Sequence, residues 1–362
     1  MRQWGETVMT CGKGLISGIV GVALALGMGS GAALAGGGGI ALSNSYTGNS
    51  WRQEMLRLWN FSAQQGVNGN VIGKTIVVNA GNSAPRQAAQ IADLVKGGWN
   101  AIAIDAASPT GLNDAIQQAC DAHIVVVVFD SLATAPCAYK IAYNYVTMGG
   151  MEAWYVANQL HGTGNVLEVR GVAGTSVDDD IHEGIVQGLA SYPGIKLVGS
   201  VHGDWTESIA RKAVATLLPS LPKVDAVVTQ GGDAYGAYEA FAAAGRPTPL
   251  IIMGNRQDEL ALWKKLSEAP GGYQTFSVSS PPGVSSIAFW VAQQVLAGTQ
   301  VPKTIVVPWL IITQDTLDAW LKAVPPDGVA SPVYGQQWTE SLIAATVAHT
   351  GLPPSPEPGA MP

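Results

Sequence analysis

The chain has 362 residues, of which 47% are hydrophobic and only 12% charged, and 26 acidic against 19 basic side chains leave a net charge of −7. That balance, with no basic stripe, excludes nucleic acid as a partner class. The length suits two domains with sizeable cores.

At the N-terminus, Arg2 and Lys13 precede an apolar, Gly/Ala-rich run from Leu15 to Ala33. Ala33-Leu34-Ala35 then has the small-x-small pattern of a cleavage site. A charged start, an apolar middle and a small-residue end predict a secretory signal peptide over residues 1–35. The run is also about long enough for a retained membrane anchor, but its glycines weaken that reading. Cys11 precedes the run, so it is not placed as the lipid-carrying Cys of a lipoprotein signal. No later apolar run is long enough to span a bilayer. Export puts Cys120 and Cys137 in an oxidising compartment, where a disulfide is favoured over two reduced, packed thiols.

Beyond the leader, strand-length apolar runs alternate with helix-period segments. The predicted strands are Gly39–Ser45, Thr75–Ala80, Ala101–Asp105, Ile124–Asp130, Val166–Arg170, Lys196–Val201, Ala226–Gln230, Leu250–Met253 and Tyr273–Ser279. Several, such as IVVVVF at Ile124–Phe129, are apolar without alternation, as expected of parallel strands covered on both faces. Between them, Trp51, Met55, Leu58 and Trp59 share one helical face, as do Ala88, Ile91, Ala92 and Val95, and Leu112, Ala115, Ile116 and Ala119. Such alternation means an α/β fold of stacked βαβ units, with too many strands for one small sheet and enough for two. Residues 351–362 are Pro-rich and expected to be a disordered tail.

Ligands of open α/β sheets lie beyond the carboxyl ends of the strands, so the residues there are the candidate site. The first strand is followed by Asn49, Trp51 and Arg52, the third by Asp105 and the fourth by Asp130. Later strands lead to Trp205, Gln230, Asn255, Arg256 and Ser279. Amides, carboxylates and guanidinium groups each bind hydroxyls in pairs, and flat rings accept the C–H face of a sugar. Each residue has a plainer reading. Asp105 suits a helix cap or turn, and Trp51 suits the core as well as a stacking platform. Asp130 ends a very apolar strand and needs a partner if ionised. Asp178, Asp179 and Asp180 fit the first turn of a helix better than a metal site with His182. Gly171 to Ser176 reads as a tight strand-to-helix turn. Neither G-x-S-x-G nor H-E-x-x-H occurs, and no catalytic residue, metal or cofactor is expected.

These residues resemble the ribose-type periplasmic binding proteins of ABC transporters, which are related to the ligand domains of LacI-type repressors. The resemblance runs from about Gly39 to Ile312. It rests on Ile40-Ala41-Leu42 leading to Asn49 and Trp51, on Asp130, on Gly171-Val172-Ala173-Gly174-Thr175-Ser176, on Gln230 with Tyr235-Gly236-Ala237, and on Gly254-Asn255-Arg256. It implies a type I fold: two Rossmann-like lobes joined by a three-strand hinge, with crossings near Tyr143–Asn144, Ser279–Pro281 and Val307–Pro308. Residues 36–143 with 281–307 would form lobe one, and 144–280 with 308–350 lobe two. It also implies a ligand between the lobes. Asn49, Trp51, Arg52, Asp105 and Asp130 would face it from lobe one, and Trp205, Gln230, Asn255 and Arg256 from lobe two, with Ser279 at a crossing. The sequence departs from the ribose pattern at Ser131 and Ile181, where that pattern has Arg, at Arg256, where it has Asp, and at Arg52, where it has an aromatic.

The implied function is capture of a small polar ligand, a monosaccharide, polyol or acidic sugar, by a periplasmic monomer that delivers it to an ABC transporter permease. The rival readings are a ligand-sensing subunit for a chemoreceptor or receptor kinase, and an enzyme on the same scaffold. A repressor lacks a DNA-binding segment ahead of Gly39.

Overall fold

The computed structural model describes residues 38–356 and 358; the expected signal peptide over 1–35 lies outside the described residues. β1 (Gly39–Asn44) leads to α1 (Ser50–Asn68), β2 (Lys74–Asn79) to α2 (Ala84–Lys96), β3 (Ala101–Asp105) to α3 (Asn113–Asp121), and β4 (Val125–Phe129) to β5 (Tyr139–Ala142). Then follow α4 (Tyr145–Gln159), β6 (Thr163–Arg170), α5 (Ser176–Ala190), β7 (Gly194–His202), α6 (Glu207–Leu217), β8 (Ala226–Thr229), α7 (Ala234–Ala243), β9 (Leu250–Ile251), α8 (Gln257–Ser267) and β10 (Ser277–Ser279). The chain continues through α9 (Val284–Leu296), β11 (Thr304–Val306), β12 (Leu310–Ile312), α10 (Leu317–Ala323) and α11 (Gln336–Ala348).

Lobe one is built on a six-stranded sheet in the order β11-β5-β4-β3-β1-β2, parallel throughout. Lobe two carries a parallel sheet in the order β7-β6-β8-β9. A bridge from Met253 to Ser277 carries that sheet on to β10, which pairs antiparallel with β12. The uninterrupted apolar runs of β3 and β4 follow from helices on both faces: α9 covers one, and α2 and α3 cover the other. α9 is apolar around much of its circumference because it is buried around it. Its Phe289 meets Trp59 of α1 edge to face at 5.4 Å, and its Ser285 and Ser286 hydroxyls donate to the Met55 and Leu58 carbonyls.

Three strands were not read from the sequence: β5, β11 and β12. Each has three or four residues, too few to show a period, and β11 lies on a sheet edge. Two further expectations are corrected. α11, assigned by position to lobe two, packs on α9 of lobe one, with Gln294 Nε2 donating to Glu340 Oε1 at 2.8 Å. The chain therefore crosses between lobes a fourth time, through residues 330–335. The start of the supposedly disordered tail is held against α11: Trp338 Nε1 donates to the Pro354 carbonyl at 2.9 Å, and Tyr334 shares a hydrogen bond with Ser355.

The crossings meet in one polar and aromatic cluster. Tyr143 of the first stacks on Trp309 of the third at 5.2 Å and donates to the Pro281 carbonyl of the second. The Gly283 N–H of the second donates to the Ser331 hydroxyl of the fourth. Away from this hinge, Cys120 and Cys137 are joined by a disulfide, tying the end of α3 to the loop before β5.

In lobe two, α4 and α5 lie backbone to backbone. A Cβ on Gly184 would stand 2.0 Å from the Val146 carbonyl oxygen, and one on Gly149 2.2 Å from that of Ile181. Gly184→Ala is expected to destabilise the protein by about 1–3 kcal/mol through overpacking. Chemical denaturation measures this; Gly98→Ala, where a Cβ meets only open space but φ is +67°, separates strain from crowding.

Candidate ligand-binding site

A cavity lies between the lobes. Lobe one lines it with Asn49, Trp51, Arg52 and Asp130, and lobe two with Trp205, Gln230, Asn255 and Arg256. Ser279 and Ser280 line it at a crossing. Sequence reasoning missed the cavity residues Tyr145, Met148, Val177 and Gly231, and named Ile181 only as a departure from the ribose pattern. Tyr145 and Met148 lie just past the first crossing on one face of α4, and that position was the available signal.

The lobe-one wall begins with the register of its sheet. Asn44 and Asp105 are partners at the carboxyl ends of β1 and β3. Asn49 caps α1 by accepting from the Arg52 N–H at 2.9 Å, which sets the first helical turn directly over those strand ends. The Arg52 guanidinium then reaches Asp105, donates to Asn44 Oδ1 at 3.2 Å and lies 3.8 Å from Asp130 Oδ2. The rings of Tyr46 and Trp51 flank it at 5.1 and 5.2 Å.

Asp130 occupies the left-handed region at φ 56°, turning its carboxylate into the cavity. Its Oδ1 accepts from Tyr145 OH at 2.5 Å. Burial pushes the Asp130 carboxyl upward, while Arg52 and the Tyr145 hydrogen bond oppose that shift. Burial, reinforced by the Asp130 charge, drives the Tyr145 phenol far up, so it stays a donor.

On the lobe-two wall, Asp204 and Trp205 both have positive φ, 54° and 52°, an unusual conformation for a bulky side chain. The Trp205 indole lies against bare backbone, since a Cβ on Gly171 would come within 2.0 Å of its ring. Gly171 was read only as part of a tight turn. Its absent side chain in fact makes room for the ring. Gln230 fixes the arrangement: its Oε1 accepts from the Gly171 N–H at 2.9 Å and from Trp205 Nε1 at 3.3 Å, and its Nε2 donates to the carbonyl and Oδ1 of Asp178.

These contacts show what three of the expected residues are bonded to. Asp105 is fully buried and does not line the cavity; its carboxylate holds Arg52. Gln230 lines the cavity, but its amide is saturated by protein partners, so it positions Trp205. Asn49 likewise spends its amide on the α1 cap, on Tyr46 OH at 2.6 Å and on the Trp205 carbonyl at 3.5 Å. Of the turn carboxylates, Asp178 and Asp179 lie in the first turn of α5 as the plainer reading expected, and Asp180 follows it; Asp178 pairs with Arg170 at 2.7 Å, and His182 bonds Glu168 at 2.8 Å. Among the described residues, no cluster of metal-ligating side chains occurs.

Arg256 is the contrasting cation. It is buried, its Nε meets no partner in the protein, and its guanidinium occupies the space a side chain at Gly232 would need. The buried carboxyls of Asp233 and Glu259 lie close enough to feel its charge. Burial pushes both carboxyls up against the pull of Arg256, Glu259 to about 7. Glu259 also accepts from the Ala234 N–H at 3.0 Å and from the Arg256 N–H at 3.4 Å.

A carboxyl raised from the usual 4.5 to about 7 holds a proton in the folded chain that the unfolded chain has already released. Its contribution to stability is therefore complete below that window and is lost as the pH rises through it. The melting temperature of the ligand-free protein is expected to fall between pH 5 and 8, and Glu259→Gln to flatten that fall.

Residues 40–300 match the family described as a periplasmic binding protein domain. The xylitol-binding protein of Mycolicibacterium smegmatis is 26% identical over 292 residues, 77% of this chain and 80% of that protein. The ribose import binding protein of Bacillus subtilis is 26% identical over 245 residues, 67% of this chain and 77% of that protein. The crystal structure of an ABC transporter solute binding protein from Thermobispora bispora has a TM-score of 0.84 at 37% identity, covering 88% of this chain and 99% of that one. With a two-lobed parallel α/β fold, a lined cleft between the lobes and a match over most of its length, the chain belongs to the periplasmic binding protein family.

Proposed function

We propose that the protein captures a monosaccharide or polyol in the cleft and hands it to an ABC transporter permease. The observation that carries this reading is the convergence of Asp130, Arg52 and Trp51 from one lobe with Arg256, Asn255 and Trp205 from the other on a single cavity. Carboxylate, guanidinium and amide groups match hydroxyls, and the two indoles offer apolar faces to ring C–H groups. The relatives named for xylitol and ribose support that ligand class. The Thermobispora bispora structure supports the transporter context. The periplasm, reached through the leader over 1–35, is the matching location, and a monomer the matching state.

The mechanism is equilibrium capture. Among the described residues, a few hydrogen bonds join the lobes across the cleft, among them Tyr145 OH to Asp130 Oδ1 at 2.5 Å, Asn49 Nδ2 to the Trp205 carbonyl at 3.5 Å and the Leu132 N–H to Ser176 Oγ at 3.1 Å. A guest that adds its own bridges between the lobes strengthens the closed arrangement. A ligand that bridges Asp130 and Arg256 binds the closed state better and shifts the population toward it. The permease would read that closed shape. On opening, the same contacts are lost and the ligand leaves.

A thermal-shift screen of pentoses, hexoses, polyols and sugar acids tests the reading. A true ligand at 1,000 times its Kd adds about 4 kcal/mol of stability and raises the melting temperature. Asp130→Asn keeps the shape and tolerates the positive φ but removes the charge. It is expected to weaken binding of the best ligand by about 1.5–3 kcal/mol in calorimetry, with the fold retained. Unchanged affinity would remove Asp130 from the site.

A further inference from the structure

The cavity is chemically two-sided. One side is polar, with Asp130 after β4, and Asn255 and Arg256 after β9. An apolar patch comes from the first two turns of α4 and α5, where Met148, Val177 and Ile181 line the same space beside Tyr145, whose hydroxyl is already given to Asp130. These three offer no strong donor or acceptor. Val177 and Ile181 are one turn apart on α5 and so share a face. The two helices that carry the patch pack closely on each other: the Ile181 carbonyl oxygen stands 2.2 Å from where a Cβ on Gly149 would be, and the Val146 carbonyl oxygen 2.0 Å from where one on Gly184 would be. The three side chains are buried, at 2%, 7% and 1% exposure.

A ring hydroxylated all round would press one hydroxyl against this wall, where it would lose its hydrogen bonds to water and find none in exchange. A ligand with a methyl group at that edge loses nothing. We infer that the site selects a deoxy sugar, a polyhydroxylated ring whose terminal methyl seats on Met148, Val177 and Ile181 while its hydroxyls meet Asp130, Asn255 and Arg256. This rests on the proposed capture of a sugar and narrows its class.

Calorimetry on matched pairs of equal ring configuration tests it: L-fucose with L-galactose, L-rhamnose with L-mannose, and 6-deoxy-D-glucose with D-glucose. At least one deoxy member is expected to bind about 10- to 100-fold tighter than its hydroxymethyl counterpart, the range an apolar pocket can impose on an added hydroxyl. Val177→Thr keeps the shape of the wall and adds a hydroxyl, so it is expected to narrow that ratio several-fold. Hydroxymethyl members binding as well or better in every pair would overturn the inference and leave sugar capture standing. So would a deoxy preference that Val177→Thr leaves untouched, because the methyl would then lie elsewhere. If no sugar or polyol binds, both readings fall.

Discussion

A single buried cation organises the first lobe's half of the cleft. Arg52 lies between two aromatic rings and reaches carboxylates at the ends of two adjacent strands. A charge so desolvated is tolerable only when paired and hydrogen-bonded, and Asp105, Asp130 and Asn44 meet that need. The consequence reaches past the pair. Because Arg52 lies in the first turn of α1, satisfying it locks that helix to the ends of β1, β3 and β4. Asp130 then faces inward with one oxygen held by Tyr145, which belongs to the helix that begins lobe two. The network thus runs from the sheet of one lobe through the site to the hinge.

The second lobe solves a different problem, that of bringing large side chains to a cavity without loosening their support. It does so by omitting side chains elsewhere. Gly171 leaves a floor for the Trp205 ring, Gly232 leaves room for the Arg256 guanidinium, and Gly149 and Gly184 let α4 and α5 touch. Each is a close approach that a Cβ would forbid, and only Gly232 of the four also has positive φ.

Much of this was legible in the sequence, and the reason is geometric. Unbroken apolar runs announce parallel strands, and parallel strands send their carboxyl ends to one edge, so Asp130, Trp205, Asn255 and Arg256 could be named from their place after a strand. Position alone does not reveal what each side chain is occupied with. Gln230 and Asn49 stand where a ligand contact should, yet their amides are satisfied by residues distant in sequence. Asp105 also ends a strand, but in a central strand beneath a helix, so it meets Arg52 instead of the cavity. Tyr145 and Met148 follow β5, a strand too short to be read from the sequence, so they came into view only once the fold was placed. α11 was misassigned for a similar reason: nothing in its own residues says which lobe it covers.

That last helix bears on how the molecule is put together. The chain lays down most of lobe one first, leaves it, and returns at the end to cover α9 with Leu342 and Ile343. Neither lobe is a contiguous stretch of polypeptide. The half made first stays partly uncovered until α11 arrives, so a cut placed before α11 acts on the lobe whose sheet was made long before it.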